Sequence, residues 1–158
     1  MSVSATKQPT EGQATKEPVS PKETASPVRR PAKGFFKLVG EVLDHGGPGY
    51  LQFAITNVCN ADCDFCGFAR SKFDSKQRHS VTLQEAKDVI DICVKNHIGY
   101  LLFVGGEPMA HKELRPMVRY AAERGIHPMI CTNGGLWTDA NLRGLTDDGL
   151  SSVIMSID

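Results

Sequence analysis

The sequence lacks an excess of charge of either sign, and it has no long apolar run. Its 158 residues include 18 basic and 18 acidic side chains, so bulk electrostatics give no reason to expect binding to nucleic acid or to a membrane surface. No apolar run approaches the roughly 20 residues of a transmembrane helix, and no signal-peptide pattern opens the chain. We therefore expect a cytoplasmic protein in a reducing setting, with no membrane or nucleic-acid partner.

Aromatic residues are absent from residues 1–33, where Pro, Ser, Thr, Lys and Glu dominate. Such a segment cannot bury enough apolar surface to offset the entropy of ordering it. We predict a disordered leader over residues 1–33, a short helix and linker over residues 34–49, and a folded core over residues 50–158. Because residues 152–158 form an apolar strand pattern with nothing after it to cover it, we expect this core to be incomplete at its C-terminal end.

Within the core, short apolar runs alternate with amphipathic helical patterns. Strands are predicted at 51–56, 100–104, 128–132 and 153–157, and the intervening helices begin near Thr82, Leu114 and Thr138. This order predicts an α/β fold with a parallel sheet and right-handed crossovers, as in a β/α barrel or part of one. Ligands bind at the carboxyl ends of the strands in such sheets.

Three cysteines, Cys59, Cys63 and Cys66, fall within eight residues, and no second pair follows them. An odd set of three cannot pair off completely into disulfides, and a structural zinc ion usually takes four protein ligands. A cubane 4Fe–4S cluster normally takes four thiolates, so three would leave one iron open to a small molecule. A zinc site completed by His79 or Cys93 remains an alternative.

Several motifs follow successive predicted strands in a fixed order. The C-x3-C-x2-C spacing with an aromatic before its last cysteine resembles the signature of the radical S-adenosylmethionine (SAM) superfamily. The later motifs most resemble the branch containing the molybdenum-cofactor synthesis enzyme and peptide-modifying maturases. By this resemblance the fold is a radical SAM partial barrel with about four of six βα units present. The residues that carry the resemblance are Cys59, Cys63, Phe65, Cys66, Gly105-Gly106-Glu107-Pro108, Thr132-Asn133-Gly134 and Ser156-Ile157-Asp158.

The resemblance implies an enzyme that uses a 4Fe–4S cluster and SAM as cofactors. SAM chelates the open iron, and its reductive cleavage gives a 5′-deoxyadenosyl radical that abstracts hydrogen from a substrate. The implied partners are a small-molecule or peptide substrate and a reductant such as flavodoxin or ferredoxin. A non-catalytic binding or scaffold module stabilised by its metal is the alternative function.

The resemblance also implies roles for individual residues beside the three cysteine ligands. The segment Gly105-Gly106-Glu107-Pro108 is expected to bind the amino group of SAM, with Glu107 as an acceptor. Phe65 is expected near the cluster and the adenine, or alternatively in the core. The remaining motif residues are expected to face the ribose or carboxylate of SAM, or alternatively to make ordinary strand-end hydrogen bonds: Thr132, Asn133, Ser156 and Asp158. No catalytic residue is predicted.

Overall fold

The computed structural model describes residues 27–28 and 35–156. Strands and α-helices alternate in it as predicted: α1 Phe35–His45, β1 Tyr50–Thr56, α2 Leu83–Lys95, β2 Tyr100–Gly105, α3 Leu114–Glu123, β3 His127–Thr132, α4 Asp139–Asp147 and β4 Ser152–Met155. Short 3-10 turns occupy Arg70–Lys72 and Pro108–Ala110. The predicted leader, apart from residues 27–28, and the predicted strand end at Ile157 and Asp158 lie outside the described residues.

The four strands form one parallel sheet in the order β1-β2-β3-β4. Phe53 pairs with Phe103, Phe103 with Ile130, and Ile130 with Val153, so the strands run side by side with their carboxyl ends at one edge. Parallel neighbours need a crossover connection, and α2, α3 and α4 supply the three crossovers. The prediction of an α/β fold with a parallel sheet is confirmed.

The hydrophobic core lies between the sheet and the helices α2–α4. Ile90 and Cys93 come from α2, Met117 and Val118 from α3, and Leu145 from α4; each is buried against the sheet. On β2, Leu101, Leu102 and Phe103 are all buried, as expected for a central strand covered on both faces.

Helix α2 shows how locally these elements are specified. Thr82 with Glu85 three residues later predicts a capping box, and the structure has it: the Thr82 hydroxyl accepts a hydrogen bond from the Glu85 N–H while the Glu85 carboxylate accepts from the Thr82 N–H. The helix ends at Lys95, next to the end that its apolar pattern predicts near Asn96, and His97 takes the left-handed conformation with φ 59°. No helix in the described ranges has both the length and the apolarity to cross a membrane.

Two elements are more exposed than the sequence led us to expect. The apolar run at 51–56 favours a buried strand, but β1 lies at an edge of the described sheet. Its first five residues alternate between exposed and half-buried, and its last two are buried. The apolar residues within 35–43, at mixed helical spacing, predict a helix that docks onto the domain, yet Phe36 and Leu43 of α1 are 88% and 78% exposed. The imidazole of His45, the last residue of α1, stacks on that of His97, with 3.9 Å between the ring centroids.

Candidate functional site

The predicted motifs meet at the carboxyl edge of the sheet because each one directly follows a strand. The loop after β2 is bonded to the loop after β1: the Gly106 N–H donates to the Thr56 carbonyl at 2.7 Å, and the Glu107 N–H donates to the Val58 carbonyl at 2.8 Å. These bonds bring Glu107 alongside the residue that precedes Cys59. The cysteine loop is therefore fastened to the centre of the sheet.

Glu107 is the hydrogen-bonding centre of this edge. Its carboxylate is fully buried, and Oε1 accepts from the Thr132 hydroxyl at 2.8 Å and from the Met109 N–H at 2.9 Å. Oε2 accepts from the Asn133 N–H at 2.9 Å. A buried carboxylate is costly unless donors surround it, and these three donors satisfy most of its acceptor capacity. The contacts join the end of β2 to the end of β3.

The fourth strand reaches the same edge. The Ser156 N–H donates to the Thr132 carbonyl at 2.9 Å, so the residue after β4 lies beside the end of β3. Ser156 is exposed there. Asp158, which the sequence placed at the same site, lies outside the described residues.

The three cysteines of the loop are half-buried and are not joined in disulfides. The sulfur of Cys59 accepts from the Ala61 N–H at 3.4 Å and from the Asn133 amide at 3.7 Å. The sulfur of Cys66 accepts from the Phe68 N–H at 3.4 Å. Cysteine ligates iron as the thiolate, whose sulfur can accept hydrogen bonds of this kind.

Contacts at both ends hold the cysteine loop in shape. At its start, the Asn57 amide donates to the Gln77 carbonyl at 2.8 Å and its oxygen accepts from the His79 N–H at 2.6 Å. At its end, the Lys72 ammonium donates to the Cys66 carbonyl at 2.6 Å. Residues of the long polar segment after the cysteines therefore contact both ends of the cysteine loop, as expected for a segment that supports a functional site.

Three half-buried thiols on one loop are the type of donor that iron–sulfur clusters use. Within the described ranges, no three His, Cys, Asp or Glu side chains lie close enough together to hold one metal ion. A cluster needs a wider arrangement, because each of its three thiolates binds a different iron. Of the two residues that a zinc site would recruit, Cys93 is fully buried in the core between α2 and the sheet. Cys93 is thus not available as a fourth zinc ligand beside the three loop cysteines.

Two glycines make the close approach of the loops possible. A Cβ atom added to Gly105 would lie 2.2 Å from the Thr56 carbonyl oxygen, and one added to Gly106 would lie 2.2 Å from the Val58 oxygen. Gly105 also has φ 138°, a conformation that other residues rarely adopt. These positions therefore require glycine for backbone packing, whatever they bind.

Phe65 does not fill the core. Its side chain is 72% exposed, and its backbone N–H donates to the Asp64 carboxylate at 3.0 Å. The alternative of core packing was therefore wrong, because the loop carries Phe65 outward between two cysteines. A place near the cluster and the adenine remains a prediction.

Two ionisable groups near the site have displaced pKa values. The pKa of Asp62 is lowered, chiefly by hydrogen bonds from the side chain and backbone of Ser71. The pKa of Cys131 in β3 is raised, first by burial and second by the nearby Glu107 carboxylate. Asp62 thus stays ionised beside the cysteines, whereas Cys131 stays a neutral thiol.

Sequence reasoning missed Asn60 and the way it joins the site. Its side-chain oxygen accepts from the Asn133 amide at 2.9 Å, across the gap between the loops that follow β1 and β3. Asn60 lies between the first two cysteines, so its position in the motif was visible. Its partner was not, because the two residues are 73 positions apart in the chain.

Comparison with known proteins places these features in a family. The family model described as the radical SAM superfamily matches residues 53–158. The chain is 35% identical over 104 residues to the Fe-coproporphyrin III synthase of Methanosarcina barkeri, covering 66% of this chain and 26% of that protein. It is 31% identical over 111 residues to the GTP 3′,8-cyclase of Chlorobaculum tepidum, covering 69% and 32%. The chain thus spans about a quarter to a third of the length of these relatives.

Solved structures show the same fold. The crystal structure of BtrN in complex with AdoMet and 2-DOIA matches with a TM-score of 0.60 at 23% identity, covering 68% of this chain and 45% of that one. Streptococcus suis SuiB bound to S-adenosylmethionine matches with a TM-score of 0.59 at 18% identity, covering 78% and 29%. The described chain therefore has the fold of part of these proteins.

Proposed function

Because this chain belongs to the radical SAM superfamily, we propose that it is part of an enzyme that holds a 4Fe–4S cluster at Cys59, Cys63 and Cys66. When bound, the cluster supplies the electron that cleaves SAM to methionine and a 5′-deoxyadenosyl radical, which abstracts hydrogen from the substrate. The observation that carries the proposal is the arrangement of three half-buried thiols at the carboxyl edge of a parallel sheet.

We propose that SAM lies along the edge formed by the ends of β2, β3 and β4. Gly105 and Gly106 allow a close approach of backbone, and Pro108 fixes the turn that follows. The Glu107 carboxylate is fully buried and accepts from three described donors, so it orders this edge from inside the fold. We propose that the amino group of SAM binds to the backbone of the segment 105–108, which the Glu107 side chain holds in place.

The other predicted SAM contacts are proposed with roles that fit their places. Thr132 supports the site through Glu107, and Ser156 is exposed beside it at the end of β4. Phe65 is exposed on the cysteine loop, where an aromatic ring can cover the adenine. Asp158 follows Ser156 closely in sequence, and we propose it for the ribose or carboxylate on that ground.

We propose that the substrate is a small molecule or a peptide that meets the sheet face opposite α2–α4. Gln52, Ala54 and Ile154 are exposed on β1 and β4, and none carries a charge. SuiB has been solved bound to its precursor peptide SuiA, which makes a peptide one of the substrate classes to test.

We further propose that an acidic electron donor such as flavodoxin or ferredoxin docks beside the cysteine loop. Arg70, Lys72, Lys76 and Arg78 are all exposed on the polar segment 70–79, in which Asp74 is the one acidic residue. A segment with this net positive charge attracts a partner of the opposite sign. Partly exposed thiols that must stay reduced are consistent with a cytoplasmic setting.

Production of 5′-deoxyadenosine tests the proposal. The full-length protein is reconstituted anaerobically with iron and sulfide, reduced with dithionite and incubated with SAM, and the nucleoside is measured by chromatography. We expect 5′-deoxyadenosine from the wild type and from Cys93→Ala, and none from Cys63→Ala. A fully loaded wild type that produces none would identify a non-catalytic module, and a colourless protein that retains zinc would contradict the cluster itself.

A further inference from the structure

We infer that Asn133 tunes the Cys59 thiolate through a hydrogen bond to its sulfur, and so favours the reduced state of the bound cluster. The inference rests on the proposed function, since it takes Cys59 as a cluster ligand. The observation is that the Asn133 amide nitrogen lies 3.7 Å from the Cys59 sulfur, although the two residues are 74 positions apart in the chain.

The orientation of the Asn133 side chain follows from its partners. Its oxygen faces the Gly135 N–H at 2.8 Å, and a backbone N–H can only donate. The amide nitrogen must therefore point the other way, toward the Asn60 oxygen at 2.9 Å and the Cys59 sulfur. Because a side-chain amide has two N–H groups, one is available to each acceptor.

The backbone of Asn133 is fixed just as firmly. Its N–H donates to the buried Glu107 carboxylate at 2.9 Å, and Glu107 in turn donates its own N–H to the Val58 carbonyl, next to Cys59. Hydrogen bonds through Glu107 thus connect the backbone of Asn133 to Val58, the residue next to Cys59. Gly135 completes the arrangement, because a Cβ there would lie 2.5 Å from the Asn60 amide nitrogen.

The three cysteines differ in the donors that their sulfurs receive. Within the described hydrogen bonds, Cys59 accepts one backbone and one side-chain donor, and Cys66 accepts one backbone donor. Among these described donors, the Asn133 amide is the one that belongs to a side chain, and it comes from the loop that follows β3. Hydrogen bonds to the sulfurs are one of the levers that set the reduction potential of such clusters. A reduced cluster carries one more negative charge, so an N–H donor stabilises it more than the oxidised form.

Two substitutions remove the donor while keeping the turn. In Asn133→Ser, the hydroxyl can still accept from the residue-135 N–H but is too short to reach the sulfur. In Asn133→Asp, the shape is kept and an acceptor oxygen replaces the nitrogen that faces Cys59. The matched control is Asn141→Ser. Asn141 lies on the first turn of α4, and its side-chain amide donates to the Leu136 carbonyl.

The test is a redox titration of the reconstituted full-length protein, followed by the electron paramagnetic resonance signal of the reduced cluster. At the potential where the wild type is half reduced, we expect the reduced-to-oxidised ratio of Asn133→Ser to fall by up to about five-fold, the limit reached if the whole net hydrogen bond stabilised only the reduced state. Asn133→Asp should fall further, and Asn141→Ser should match the wild type.

The outcomes separate this inference from the proposed function. Asn133 variants that load normal amounts of iron and keep the wild-type potential, or shift it upward, would overturn the inference alone. Loss of the cluster from both Asn133 variants, with the control loaded, would also overturn it, because Asn133 would then be needed for assembly. A wild type that never forms the cluster would instead overturn the proposed function on which the inference rests.

Discussion

The Thr132 hydroxyl donates a hydrogen bond to the fully buried carboxylate of Glu107 at 2.8 Å, joining the ends of two neighbouring strands. In the low dielectric of the interior, a carboxylate bond of this kind is stronger than a neutral one. Thr132 directly precedes Asn133, whose N–H also donates to the Glu107 carboxylate. The Glu107 N–H in turn donates to the Val58 carbonyl, next to Cys59. The conformation of the cysteine loop therefore depends on Glu107, which the sequence predicts chiefly as a contact to SAM.

Replacing Glu107 with Gln should destabilise the fold even without any cofactor. The Gln amide keeps the shape of the side chain, but its NH2 group replaces one carboxylate oxygen. That NH2 group then faces an N–H or O–H donor and leaves it without an acceptor. We expect the free energy of unfolding to fall by about 1–3 kcal/mol, as for a buried group left unsatisfied. Urea denaturation measures this. Glu123→Gln, on the exposed side of α3, is the control and should leave the midpoint unchanged.

Replacing Gly106 with Ala should separate the loops that follow β1 and β2. The added Cβ would overlap the Val58 oxygen, so backbone must move next to Cys59. We expect reduced iron loading after reconstitution, measured by iron and sulfide analysis. Gly40→Ala is the matched control, since nothing lies within 4 Å of a Cβ at that helical position. Equal loading of the two variants would contradict the steric argument.

Asp148 should contribute strongly to stability, because it anchors α3 to the end of α4. Its buried carboxylate accepts from the Arg115 guanidinium at 2.6 Å and from that of Arg119 at 2.9 Å. Arg115 is itself half-exposed, so solvent screens part of the attraction. We expect Asp148→Ala to lower the free energy of unfolding by about 2 kcal/mol. Its neighbour Asp147 is exposed, and Asp147→Ala should change the stability far less.

The capping box of α2 should make stability depend on pH in the acid range. Hydrogen bonds from the Thr82 backbone and side chain lower the pKa of Glu85. A carboxyl group with a lowered folded-state pKa stabilises the fold above its unfolded pKa, and this contribution is lost as the pH falls through the folded-state value. Thr82→Ala should cost about 1 kcal/mol at neutral pH. Denaturation curves at several pH values should show the difference from the wild type shrinking in acid.

Much of the fold could be predicted because its signals are local. The apolar runs of β2 and β3, the cap at Thr82 and the cap at Thr138 each lie within a few residues of what they specify. The strand-to-helix alternation then leaves few topologies, and parallel strands bring the motifs to one edge. The density of the three cysteines likewise predicts a metal site, and their role as ligands stays a prediction.

Long-range contacts could not be predicted in the same way. The sequence places His111 in a loop, where a histidine is by default solvated. In the structure it is buried, with Nε2 bonded to the Val81 carbonyl at 2.8 Å and Nδ1 accepting from the Glu113 N–H. The partners of Glu107 and Asn133 likewise come from other strands. The exposure of Phe36 on α1 depends on where the helix lies against the domain, which its own periodicity does not determine.

Mössbauer spectroscopy of the full-length protein, reconstituted anaerobically with 57Fe, tests the central claim most directly. If Cys59, Cys63 and Cys66 hold a 4Fe–4S cluster with one iron left open, adding SAM should change the isomer shift of a single iron subsite and leave the others unchanged. A spectrum that SAM does not alter, or one without a cubane cluster, would contradict the account.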